Sequence, residues 1–176
     1  MSRPKVSVIM PAYQHAAFVG AAMDSVFEQT VRNIELIVGD DCSTDGTRNV
    51  IHQRASMAPI PVKLIDAGFH RGASAVMNDL WNVASGEFVA VINSDDAFHP
   101  EKLSRQLAFM EERPNLTASF TWAEIVDESG SPAAHLSYPG TLFDQPNRTR
   151  AQWLRKLFFE GNCLCHPTLL ARRKNF

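Results

Sequence analysis

The feature that most constrains this chain is a repeated alternation of short apolar runs with segments of helical period. Lys5-Val6-Ser7-Val8-Ile9-Met10 is a β-branched run stopped by Pro11, which predicts a buried first strand. Phe18, Ala22 and Val26 recur every four residues and predict a helix over about 16–29. Ile34–Val38 is a second strand closed by Gly39-Asp40-Asp41, and Asp45-Gly46 opens a helix with Asp45 as its cap and Val50 and Ile51 facing inward. Val62–Ile65 is a third strand. Val76, Leu80, Val83 and Ala84 then form the apolar stripe of a helix that Gly86 ends. Phe88–Ile92 has no polar alternation, so it belongs near a sheet centre with both faces covered. His99-Pro100 starts a further helix carrying Leu103, Leu107 and Met110, and Leu116–Trp122 is a fifth strand, followed by Glu124–Asp127. Four rounds of strand and helix imply an α/β fold with a mostly parallel sheet sandwiched between helices.

Such sheets bind ligands beyond the carboxyl ends of their strands. After the first strand stand Pro11, Ala12, Tyr13 and Gln14; after the second, Asp40 and Asp41; after the fourth, Asn93, Ser94, Asp95 and Asp96. Asp also favours turns and helix starts, which accounts for one acidic pair on its own. Two pairs on one sheet edge are harder to explain that way, because adjacent carboxylates repel and raise each other's pKa. A divalent cation relieves the repulsion, and all-oxygen ligands suit magnesium or manganese. Tyr13 offers either a cap on the core or a flat face for a nucleobase. There is no Gly-x-Gly-x-x-Gly after the first strand and no Walker lysine loop.

Composition bounds the partners. The chain has 176 residues, 45% hydrophobic and 20% charged, which suits one domain over residues 1–176. A formal net charge of -2, with Arg172-Arg173-Lys174 the nearest thing to a basic cluster, gives no nucleic-acid surface. Cys42, Cys163 and Cys165 read as reduced thiols, consistent with a cytoplasmic setting, and Cys163-x-Cys165-His166 lacks the second pair a structural zinc needs. No apolar run reaches membrane-spanning length, so any membrane association is expected through parts outside this sequence.

Pro11–Gln14, Ser25–Thr30, Val38–Thr47, Arg71-Gly72 through Asn78, Ala84–Glu87 and Asn93–Ala97 occur in the order of blocks that resemble family 2 glycosyltransferases. The resemblance implies a GT-A (Rossmann-like) fold and a nucleotide-diphospho-sugar donor, a UDP-sugar by preference, lying across the strand ends. It implies that Pro11, Ala12 and Tyr13 flank the base, that Asp41 accepts a hydrogen bond from it, and that Asp95 lies beside the ribose or diphosphate. By the same carry-over Asp96 is the Mn2+ or Mg2+ ligand of a DXD-type motif. Arg71 is either a phosphate contact or a surface arginine.

His70 and Met77 depart from the family pattern, where Asn and Arg are frequent. Inverting members take a carboxylate base from beyond the stretch that Asn162–Pro167 resembles. The sequence ends at Phe176 before such a motif, and Glu160 and Asp144 stand in no matching context, so no base is assigned. His166 is expected to pack or cap, with a contact to acceptor or phosphate as the alternative. The reading is therefore a donor-binding domain of an inverting, metal-dependent transferase with a carbohydrate, lipid-linked or protein acceptor. Alternatives are a donor-binding chain without turnover and a sugar-1-phosphate nucleotidyltransferase. The latter wants a Gly-rich basic loop where Pro11–Gln14 stands. A phospho-receiver module wants an acidic pair after the first strand and a lysine after the fifth, and the chain has neither.

Overall fold

The computed structural model describes residues 3–127, 129–133, 143 and 145–175. Its six strands are β1 (Val6–Ala12), β2 (Ile34–Asp40), β3 (Val62–Asp66), β4 (Phe88–Val91), β5 (Ala118–Ser119) and β6 (Leu170–Arg172), ordered β3-β2-β1-β4-β6-β5. β1 to β4 are mutually parallel, and β6 runs antiparallel between β4 and β5. The helices are α1 (Val19–Phe27), α2 (Thr47–Ser56), α3 (Ala73–Val83), α4 (Lys102–Glu111) and α5 (Arg150–Phe159).

The period-2 pleat splits β1 between two cores. Val6, Val8 and Met10 pack with Val26 of α1, Ile51 of α2 and Leu103 and Met110 of α4. Ile9 turns the other way, onto Val76 and Leu80 of α3. Every residue of β4 is buried, as its unbroken apolar run requires. Within α3 the expected stripe is narrower, because Val83 is 42% exposed while Val76, Leu80 and Ala84 are buried.

Three boundaries differ from expectation for local reasons. α1 begins at Val19, not near residue 16, after a turn in which the Phe18 and Val19 N–H groups both go to the His15 carbonyl (3.0 and 2.9 Å), while Thr47 Oγ1 (2.8 Å) and Asp45 Oδ2 (3.0 Å) take the His15 and Ala16 N–H groups. α4 begins at Lys102, so Pro100 precedes the helix instead of opening it. The fifth strand shrinks to two residues because its partner is β6, a three-residue strand; beyond it, the Thr121 N–H is taken by Thr168 Oγ1 at 3.1 Å instead of a ladder carbonyl.

At the end of the sheet away from the acidic pairs, a polar hub centred on buried Ser7 and Glu35 joins four segments: β1, β2, β3 and the turn before β4. Glu35 Oε1 accepts from the Ser7 hydroxyl (2.6 Å), the Ser85 N–H (2.9 Å) and the Ser85 hydroxyl (2.7 Å), and Oε2 pairs with Lys63 at 2.8 Å. Burial by itself would raise the Glu35 pKa, but Lys63 and the two serines outweigh it and hold it at about 2. Ser7 Oγ also accepts from the Gly86 N–H at 2.8 Å. Ser85-Gly86 is thus a structural turn that registers β4 on β1.

Candidate functional site

The chain leaves β1 to one side through β2 and β3, then returns to lay β4 on the opposite side of β1. This reversal of strand order opens a crevice between the carboxyl ends of β1 and β4. A cavity of about 310 Å³ lies there, lined among others by Pro11, Ala12, Tyr13, Asp41 and Asp95. The strand-end segments that the sequence singled out therefore meet around one space. His15, His70, Asn93 and Ser94 line it as well, together with Ala73 and Val76 at the start of α3.

The two loops on the β1–β2 side clamp each other. Gln14, held at φ 55, accepts through Oε1 from the Thr44 and Asp45 N–H groups (3.0 and 3.1 Å), and its own N–H goes to Ser43 Oγ at 3.0 Å. Asp45 accepts from the Thr47 hydroxyl, the Ala16 N–H and the Thr47 N–H, which hold its carboxyl at about 2. Asp45 therefore serves α2 by binding Thr47, although the cap position itself is Gly46 at φ 97. These polar residues shape the wall and leave the cavity face to Tyr13 and Asp41.

Asp41 is 2% exposed, yet its carboxylate is well supplied with donors. Oδ1 accepts from the Arg71 N–H at 2.8 Å, and Oδ2 accepts from the Gly72 N–H at 2.7 Å. His70 Nδ1 lies 2.9 Å from Oδ2, and the His70 ring sits 4.3 Å from the Tyr13 ring. A carboxylate has about four lone-pair sites, so these three contacts leave one on Oδ1 without a donor. Asp40, by contrast, belongs to the last turn of the sheet: it is 3% exposed and Oδ2 accepts from the Ser43 N–H at 3.1 Å.

On the β4 side, Ser94 Oγ bonds His15 Nδ1 at 2.8 Å, and Asp95 Oδ1 stands 3.9 Å from the same nitrogen. Asp96 is not among the residues that line the cavity; its Oδ2 accepts from Asn93 Nδ2 at 2.9 Å. Burial raises the Asp96 pKa, and the neighbouring Asp95 charge adds to it. His166 Nε2 reaches Asn93 Oδ1 at 2.9 Å, so His166 is neither a core nor a capping residue: it is anchored to the acidic loop. Arg71 contributes its backbone N–H to Asp41, while its guanidinium pairs with Asp79 on α3. Glu160 is paired with Lys156 at 2.6 Å, away from the cavity, and Asp144 lies outside the described residues.

His15 carries no mark in the sequence. Its role follows from β1 and β4 being neighbours, which brings residues 15 and 94 together. The signal for His70 is its departure from a frequent Asn, and its ring packs where an amide would be smaller. The three cysteines are unpaired. Among the described residues no helix is long and apolar enough to cross a membrane.

Residues 7–176 match the profile of Glycosyl transferase family 2. The chain belongs to that family. It is 31% identical over 173 residues to the putative glycosyltransferase EpsE of Bacillus subtilis, covering 97% of this chain and 57% of that protein. It is 33% identical over 124 residues to the Escherichia coli UDP-Glc:alpha-D-GlcNAc-diphosphoundecaprenol beta-1,3-glucosyltransferase WfgD, covering 70% of this chain and 47% of that one. The chain spans about half the length of the curated relatives it matches. Among solved structures, S. aureus TarS in complex with UDP superposes with a TM-score of 0.74 at 24% identity, over 96% of this chain and 47% of that chain, which shows the shared GT-A fold. The mannosyltransferase PcManGT from Pyrobaculum calidifontis, in complex with GDP-Man and Mn2+, gives 0.61 at 28% identity, over 67% of this chain and 35% of that one.

Proposed function

We propose that this chain is the donor-binding domain of an inverting glycosyltransferase that uses a nucleotide-diphospho-sugar, with a UDP-sugar as the preferred donor. The observation that carries the reading is the meeting of Tyr13, Asp41 and Asp95, from three separate strand ends, around one cavity at the switch point between β1 and β4. Tyr13 supplies a face for the base, and Asp41 has one lone pair left for an imide-type N–H. Pro11 and Ala12 form the floor beside the base, and Asp95, near His15, lies toward the ribose and diphosphate.

The residues also fit a divalent cation. Among the described residues no three His, Cys, Asp or Glu side chains gather as a complete metal cage. Magnesium-type sites commonly take one or two carboxylates and complete their shell with water and substrate phosphates. Asp96, whose ionised form is disfavoured by burial and by Asp95, would be stabilised by a nearby positive charge and is the proposed ligand for Mn2+ or Mg2+. When bound, the cation supplies Lewis-acid stabilisation of the leaving nucleoside diphosphate. The PcManGT complex with GDP-Man and Mn2+ supports this pairing of donor and metal. The Arg71 guanidinium is paired with Asp79, so any phosphate contact it makes shares the group with that carboxylate.

The acceptor is a carbohydrate hydroxyl, with a lipid-linked sugar favoured by the diphosphoundecaprenol acceptor in the name of WfgD. Calorimetry with UDP, GDP and dTDP, with and without Mn2+, tests the reading. UDP is expected to bind, and Mn2+ to strengthen it by roughly tenfold or more, as a cation that offsets carboxylate–phosphate repulsion should. Asp96→Ala is expected to remove that enhancement while leaving the metal-free affinity nearly unchanged. Absence of metal-dependent binding to any of the three nucleotides would sink the assignment.

A further inference from the structure

We propose that α5 is an interfacial helix that seats this chain on an anionic lipid surface. α5 starts on a full capping box, with Thr149 and Gln152 each bonding the other's backbone N–H, yet none of its ten residues is buried. Its outward face inverts the usual pattern of a surface helix. Leu154 is 59% exposed and Phe158, one turn on, is 82% exposed, with Phe159 beside it at 74%. In α4 the same spacing turns Leu103, Leu107 and Met110 into the core and leaves Glu101 and Arg105 paired outside.

Charge complementarity selects the occupant. The chain as a whole carries a formal net charge of -2, but Arg148, Arg150, Arg155 and Lys156 fall within nine residues, a longer basic stretch than Arg172–Lys174; Glu160 pairs with Lys156 at 2.6 Å and leaves the three arginines for an anionic surface. The cations sit with the aromatics: the Arg148 guanidinium lies 4.9 Å from the Trp153 ring and that of Arg155 lies 5.8 Å from Phe159. Exposed aromatic and leucine side chains flanked by arginine and lysine are the composition of helices that lie in the headgroup layer, where apolar side chains enter the acyl boundary and cations meet lipid phosphates.

The helix is also tied to the site. Six residues, 160–165, separate α5 from His166, whose ring is hydrogen-bonded to Asn93 in the acidic loop. Six extended residues span at most about 20 Å, so a membrane-seated α5 keeps the crevice within that reach of the lipid headgroups. The inference does not depend on the donor reading, because vesicle binding and nucleotide binding are separate measurements.

Cosedimentation with vesicles of phosphatidylcholine, with or without phosphatidylglycerol, provides the test. The chain is expected to favour the anionic vesicles by about tenfold or more, with the preference falling as salt rises. Brominated lipid is expected to quench tryptophan emission of the unaltered protein, since Trp153 is on the helix. Phe158→Ser with Phe159→Ser, and separately Arg150→Glu with Arg155→Glu, should each abolish vesicle binding while UDP binding and circular dichroism stay unchanged. Equal affinity for neutral and anionic vesicles, binding retained in both double variants, or self-association that the Phe pair abolishes without any vesicle binding would each overturn the proposal.

Discussion

Replacing Asp41 with Asn changes only one oxygen to an amide nitrogen, which makes it a sharp test of how the site is held together. Both carboxylate oxygens accept a backbone N–H, Oδ1 from Arg71 at 2.8 Å and Oδ2 from Gly72 at 2.7 Å. An asparagine offers one acceptor and one donor, so either amide orientation points an NH2 group at a backbone N–H. One charge-assisted bond is lost and one buried donor faces another donor. Hydrogen bonds to charged groups contribute about 1.5–3 kcal/mol, and the cost here should be about 3 kcal/mol. The 70–72 loop then loosens at the entrance to α3, and His70 loses its carboxylate partner beside Tyr13. Urea denaturation reads the stability term directly. With a slope of about 2 kcal/mol per molar, the midpoint should fall by about 1.5 M. Calorimetry with UDP should show a parallel loss of affinity, whereas Mn2+ dependence, assigned to Asp96, should survive. An Asn variant with the wild-type midpoint and wild-type UDP affinity would refute both the latch and the base-reading role.

Two further predictions concern the hub at the opposite end of the sheet. Because the folded-state pKa of Glu35 is depressed from 4.5 to about 2, its contribution is complete above 4.5 and is lost as pH falls from there toward about 2. Allowing for the half-exposed Lys63 partner, that contribution is about 2 kcal/mol. Glu35→Gln should therefore flatten the acid limb of the stability curve measured by urea midpoints, and an unchanged limb would contradict the ion-pair account. Gly86→Ala places a Cβ 2.5 Å from the Ser7 backbone nitrogen and 2.8 Å from the Phe88 carbonyl oxygen, neither of which is a flexible side-chain end. It should cost about 3 kcal/mol and lower the thermal midpoint; a variant that melts with the wild type would show that β1 and β4 can part without penalty.

The sequence by itself determined the α/β class, the four parallel strands and the edge on which the acidic pairs fall. Those follow from local physics: apolar runs of strand length, Pro and Gly at their ends, and apolar positions at helical spacing. The ordered family blocks added the separate jobs of Tyr13, Asp41, Asp95 and Asp96 as expectations. The same local signals explain why the β1–β4 half was more legible than the rest. Leu170–Arg172 is a strand only because β4 and Ser119 stand ready to pair with it, and the residues of the apolar run 116–122 outside Ala118–Ser119 are not in the ladder once that partner is three residues long.

Only the tertiary structure decided what each polar residue is spent on. It directs the Arg71 backbone, rather than its guanidinium, to Asp41, brings His15 to Ser94, and hangs His166 on Asn93 across 73 residues of chain. It also leaves α5 with its aromatic face outward, which periodicity cannot tell from a core face. The reason is the same in each case. Hydrogen bonds and burial between distant segments depend on strand order, and strand order is set by which apolar faces close on one another, a choice that no single window of sequence contains.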